Sequence, residues 1–454
     1  MNCLEPEGLL SDVVVKPVAM NLVVVIRGGT IVDARTAGTR ADILIRDGVI
    51  AQVAATIDAP PGALILDSEG CVVAPGLVDI QVHVREPGRE ESETIETGSR
   101  AAALGGCTAV VCMPNTDPPL DDAAVVQAVL ARGHAVGLVD VRPSGCITKG
   151  RKGNQLAPMG EMYDLGVRIF TDDGDCVANA SVMRRAFEYS KALRGAVIAQ
   201  HAEDPALVHG GHMHEGEWSA RLGIPGRPAA AEVTIVARDL ELARLTGGRY
   251  HVLHLSTAGA AQLVRAAKVE GVRVTAECTP QHFTLTDAAC ANYESTFKMN
   301  PPLRGESDRA GVFAALVDGT IDAIATDHAP HAPETKAVPF EEAPPGMLGV
   351  ETSLAVALTQ LVVPGHLSMQ QLLARMSWQP AAIAGFDDVH GRPIAVGEPA
   401  NITVIDPSVQ WERSVAESAS KSRNDPWEGE KLTGRVRHTV LQGIPTVINR
   451  EPQR

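Results

Sequence analysis

Between residues 76 and 385, short apolar runs alternate with longer stretches of helical character. The runs are LVDIQVH (77–83), TAVVCM (108–113), VGLVDV (136–141), VRIFT (167–171), AVIAQH (196–201), YHVLHL (250–255), VRVTAEC (272–278) and IDAIATD (321–327). Segments this short and this apolar fit strands buried on both faces, as parallel sheets require. Stretches between them, such as DAAVVQAVLARG and SVMRRAFEYSKAL, read as helices. Eight βα units in series predict an α/β fold, a (β/α)8 TIM-like barrel over 76–385.

Both ends of the chain carry a different pattern. LVVVIRGGTIVD, ADILIRDGVIAQV and ALILDSEGCVVAPG pair short apolar runs with glycine turns, and GEPANITVIDPS and RVRHTVLQGIPTVIN repeat the pattern near the C-terminus. This is hairpin chemistry. It predicts one small β-sandwich assembled from 21–75 plus 386–454. Residues 1–20 are expected to form a flexible N-terminal extension.

Composition narrows the function. Of the 454 residues, 45% are hydrophobic, enough for a large core with an appended unit. A formal charge of −15 disfavours nucleic acid and membrane surfaces, both polyanionic, and leaves a small molecule as the expected substrate. The eight cysteines are scattered without a CxxC, as expected for buried thiols in a reducing, cytoplasmic setting. The first residues lack a basic segment followed by an apolar run, so no signal peptide is expected.

In such a barrel, side chains at the C-terminal strand ends converge on one mouth. Those ends hold His83, Asp173 (just past its strand), His201, His254 and Asp327. One histidine at a strand end is unremarkable; five ligand-type residues together point to a metal. Nitrogen and carboxylate donors without thiolate suit Zn²⁺ or a similar divalent ion, one or two per chain. The chemistry implied is metal-assisted hydrolysis, in which the ion acidifies a water and polarises a carbonyl. His251, three residues before His254, is expected on the opposite strand face in a packing role. His209, His212 and His214 form a loop cluster, HGGHMH, with little functional weight.

Around these residues the chain resembles the dihydroorotases of the amidohydrolase superfamily, class I type. The likeness runs from about residue 22 to the end and rests on APGLVDIQVHVREPG, GGCTAVVCMPNTDPPLDD, TDDG, AQHAED, HLST, KMNPPLR and ATDHAPHAPETK. It implies reversible interconversion of N-carbamoyl-L-aspartate and dihydroorotate, a step of pyrimidine biosynthesis. By resemblance, His83 would ligate a first metal, Asp173 (or Asp172) would bridge two metals, and His201 and His254 would complete the second site. Asp327 would touch the first metal and shuttle the proton. His83, Arg85, Asn115 and His331 would contact the substrate, the last three gripping its carboxylate. Asn300 and the backbone at Pro345 and Gly346 would meet the ring amides. A homodimer, and association with aspartate carbamoyltransferase, are the implied assemblies.

One departure bears on the metal. The family motif D-x-H-x-H reads Asp79-Ile-Gln81-Val-His83 here, so Gln81 replaces an imidazole with a weaker, neutral amide oxygen. Gln81 is the support for one rival, a non-catalytic homologue that scaffolds aspartate carbamoyltransferase, yet a scaffold has no physical need for the five ligands. The other rival, a hydantoinase or allantoinase, calls for a bridging lysine where TDDG offers aspartate.

Overall fold

The computed structural model describes residues 22–454. The N-terminal extension expected over 1–20 lies outside the described residues. Eight parallel strands form a ring in chain order: Leu77–Val82, Cys107–Cys112, Asp140–Pro143, Ile169–Phe170, Val197–Gln200, Tyr250–Val252, Val274–Cys278 and Ala323–Ile324. Two single parallel bridges close it. Gly145 pairs with Phe170 between the third and fourth strands, and Val82 pairs with His328 between the first and last. Gly145 serves the first seam through size, because a Cβ there would lie 3.0 Å from the Met162 sulfur and 3.1 Å from the Phe170 ring.

The strands are apolar on both faces because both are covered. Ile80, Val111, Ile169, Ala199 and Ala323, from five of the strands, share one buried cluster with Leu253, just past the end of a sixth. Ile198, Val252, Ala276 and Ile324 belong to a second, larger cluster with helix residues such as Phe187, Val236, Val264 and Leu316. At ~1.5–3 kcal/mol per buried large apolar side chain, these two layers dominate the gross stabilisation of the ring.

The third strand lies later than its apolar run predicts. Val136 is the last residue of the helix Ala123–Val136, and Gly137 ends that helix in a left-handed conformation, φ 62°. Leu138 and Val139 are buried but lie in the connection, and the strand begins at Asp140.

Both chain ends build one continuous nine-stranded sheet. Val23–Val32 pairs with Ala37–Arg46, Leu64–Asp67 and Val72–Pro75, and Val72–Pro75 pairs with Ile402–Glu412 from the far end of the chain. The expected sandwich is realised as a single sheet around its own core. Val24, Ile43 and Ile50 from one flank share a buried cluster with Ile402, Val404 and Val440 from the other. Val49 bridges Pro399, drawing the two flanks together.

Candidate active site

At the mouth of the ring, the local backbone is bent to aim side chains inward. Arg85, His254 and Asp327 adopt positive φ, at 59°, 30° and 47°. Such angles are costly for residues with a Cβ and persist where surrounding structure imposes them. Buried Asp79 does part of this work at the seam. Its carboxylate accepts from Gln81 N–H at 3.2 Å, Thr326 N–H at 3.1 Å and the Thr326 hydroxyl at 2.6 Å, so it ties the last strand's end to the first. Burial still pushes the Asp79 carboxyl up to about 7.

Two groups of ligand-type side chains meet here, the only such groups among the described residues: Asp173, His201 and His254, and His83, Asp173 and Asp327. Within each, one donor atom per residue lies within 4.8 Å of the others, and Asp173 is common to both. His201 Nδ1 is 2.9 Å from His254 Nε2; the same atoms lie 3.7 Å and 3.4 Å from one Asp173 oxygen. His83 Nε2 is 2.9 Å from Asp327 and 3.4 Å from the other Asp173 oxygen. Asp172 is occupied elsewhere. It accepts from the amides of Ile147 at 2.8 Å and Thr148 at 2.9 Å and from the Thr148 hydroxyl, so the structure brings Asp173, not Asp172, into the cluster.

The electrostatics fit a cation. Burial raises a lone carboxyl, yet contacts with His201, His254 and His83 hold Asp173 well below the usual range. Burial also opposes charge on His201, yet Asp173 and Glu203 push it up to about 10. The two carboxylates beside this histidine favour positive charge at the cluster, and a divalent cation would meet the same demand. Gln81 donates its amide N–H to Asp173 at 3.2 Å, while its buried Oε1 has no partner.

Beside the triads lies a cavity of about 220 Å³. Arg85, Asn115, Asn300, His331, Pro345 and Gly346, named from the sequence, all line it with His83, Asp173, His201, His254 and Asp327. Arg85 is 6% exposed and donates through Nε to Pro330 O at 3.1 Å; burial, then Arg89, lowers its guanidinium to about 10. Asn115 Oδ1 pairs with His83 Nδ1 at 2.8 Å. The Asn300 Oδ1 is buried without a partner. His331 Nε2 pairs with Pro345 O at 2.8 Å, and burial keeps the ring neutral.

Several contacts around the cluster escaped the sequence. Glu203 meets His201 Nε2 at 3.2 Å and is itself held by Arg227 at 2.9 Å and Arg304 at 3.8 Å. Arg89 and Arg151 line the cavity. AQHAED and NPPLR contain Glu203 and Arg304, but nothing local connects them. His251 is buried, pairing with Thr275 at 2.7 Å and Glu277 at 3.0 Å, and lines no part of the cavity. The HGGHMH histidines form no ligand cluster among the described residues; His212 Nδ1 faces the Lys298 ammonium at 3.2 Å.

Comparison with known proteins agrees with this geometry. A sequence model of the family described as Dihydro-orotase-like matches residues 70–260. A dihydroorotase of Mycobacterium leprae is 50% identical over 90% of this chain and 95% of its own length. A dihydroorotase of Mycobacterium bovis is 49% identical over 90% of this chain and 95% of its own. Among solved structures, an L-hydantoinase (dihydropyrimidinase) from Arthrobacter aurescens superposes with a TM-score of 0.86 at 26% identity, covering 95% of this chain and 97% of that one.

Proposed function

The chain belongs to the dihydroorotase family, and on that premise we propose that it opens the ring of dihydroorotate, and closes it in reverse, at the Asp173-centred cluster. The observation that carries this is the placing of two ligand triads and an arginine-lined pocket side by side, with Asp173 shared. No lysine lines the pocket among the described residues, which favours this reading over one needing a bridging lysine.

The donor set fits divalent metal: His83, Asp173 and Asp327 would hold one ion, and Asp173, His201 and His254 a second. Bound there, zinc or a similar ion supplies an acidified water and a polarised carbonyl. The remaining steps fall to the chain. Arg85 presents a planar fork to the substrate carboxylate, with Asn115 and His331 on the same cavity wall. Asn300 offers a donor and an acceptor to the ring amides, beside a wall formed by the Pro345–Gly346 backbone. Asp327, oriented by His83 at 2.9 Å, takes a proton from the attacking water and delivers it to the leaving nitrogen as the C–N bond breaks. In reverse the carbamoyl nitrogen attacks the side-chain carboxyl carbon, Asp327 takes its proton and passes it to the departing oxygen, and the C–O bond breaks to release water. The seven described cysteines are free, which supports a reducing, cytoplasmic setting; no described helix is long and apolar enough to cross a membrane.

A dihydroorotate hydrolysis assay alongside metal analysis tests the proposal. Turnover that rises and falls with bound metal supports it. Full turnover by verified metal-free protein, or metal binding without turnover, overturns it.

A further inference from the structure

The connection 413–430 joins two strands of the composite sheet, yet one of its side chains reaches the loops that line the pocket. Asn424 is 4% exposed, and its amide is fully bonded. Nδ2 donates to Ala329 O at 2.9 Å and to Gly346 O at 3.0 Å, while Oδ1 accepts from His331 N–H at 3.2 Å. Its backbone carbonyl accepts from Leu348 N–H at 2.9 Å. These partners belong to two separate loops. One follows the last ring strand and carries Asp327 and His331; the other carries Pro345 and Gly346. Both line the cavity.

The segment holding Asn424 is anchored. Ser422 donates to Ser92 O at 2.8 Å, the Ser420 hydroxyl bonds Glu93, and Arg413 pairs with Asp425 at 2.8 Å. The Gly346 wall has no slack, since a Cβ there would lie 2.7 Å from His331 Nε2 and 2.8 Å from Ala329 O. From the other side, buried Lys336 donates to Pro344 O at 3.0 Å and Gly346 O at 3.2 Å.

We infer that Asn424 is a positioning residue for the substrate pocket: its amide fixes the gap between the His331 loop and the Pro345–Gly346 loop. The inference rests on the pocket reading given above. The bonding explains why a planar amide stands here. Two N–H donors and one acceptor at fixed angles span two backbones at once, which a hydroxyl or carboxylate cannot do. Positioning that acts only through the walls alters substrate binding more than proton transfer, because Asp327 and the ligand triads keep their own contacts.

The test uses Asn424→Ala and the near-isosteric Asn424→Asp, each purified as holoenzyme, with His331→Ala beside them. For both Asn424 variants KM for dihydroorotate should rise roughly 10-fold, in keeping with the cost of loosening substrate alignment. Metal content should stay near wild type, Tm should fall by only a few degrees with the lost buried bonds, and kcat should fall less than KM rises. An unchanged KM in the two variants overturns the inference, as does a fall in kcat at constant KM. Loss of folding or of metal in both also overturns it, since Asn424 would then be an architectural residue. His331→Ala separates the premises: if it too leaves KM unchanged, the pocket reading fails; if it alone raises KM, only the role of Asn424 does.

Discussion

On one side of Asp173, His201 and His254 stand edge to face, ring centroids 4.7 Å apart, in front of a buried chain of charges. Glu203 orients His201, and Arg227 and Arg304 hold Glu203. Glu232 lies 4.0 Å from Arg304 and accepts from the amides of Ser256 and Thr257, just beyond His254. On the other side, His83 has one neutral partner, Asn115, besides the carboxylates, and Gln81 contributes an amide whose oxygen is unbonded. Arg85 and Asp327, both at positive φ, flank it. Under the proposed function this difference becomes a division of labour: the triad with His201 and His254, backed by charge through Glu203, would hold its ion more firmly, and the triad with His83 and Asp327 would trade ligand strength for moving a proton.

The largest break should come from stripping metal: prolonged chelation abolishes activity and zinc, cobalt or manganese restores it, whereas undiminished turnover in a metal-free sample would end the two-triad account. Next is Asp327→Asn, which keeps shape and loses the proton acceptor; kcat should fall on the order of 10²–10⁴. A variant within about threefold of wild type would move the shuttle to another residue. Glu203→Gln sharpens the contrast from the other side. It should weaken metal binding by about 10–100-fold, the usual effect of removing a ligand's orienting partner, as read by titration with a competing chelator; unaltered affinity would show the backing network to be inert. Arg85→Lys keeps charge but not the fork, and should cut the preference for dihydroorotate over uncharged dihydrouracil by about 10-fold. An unchanged preference would return Arg85 to a structural part. The smallest effect belongs to Gln81→His, which should tighten the weaker metal by a few-fold. If one tight ion per chain binds identically in both proteins, Gln81 faces no metal.

Legibility from sequence followed range of interaction. Strands covered on both faces announce themselves as apolar runs, and the ligand residues could be picked out because strand ends share one mouth. The third run misled because the buried residues Leu138 and Val139 follow a helix end rather than sit in a strand. His251 illustrates a second limit: its strand stops at Val252 and His254 takes φ 30°, so simple alternation no longer relates the two histidines. Choosing Asp173 over Asp172 needed the Thr148 loop, and Asn424 needed two loops about 80–95 residues away. Bonds of that reach leave no periodicity to read.

The bridge between Val82 and His328 also sets an order of events for the newly made chain. His201 and His254 are 53 residues apart, so their triad can gather once the middle of the chain has emerged from the ribosome. His83 and Asp327 are 244 residues apart on opposite sides of the seam, and closing so long a loop carries a larger entropic cost. The triad of His83, Asp173 and Asp327 therefore cannot exist until the last ring strand has docked against the first. A chain still open at that seam would bring Asp173, His201 and His254 together without Asp327, the proton carrier of the proposed reaction.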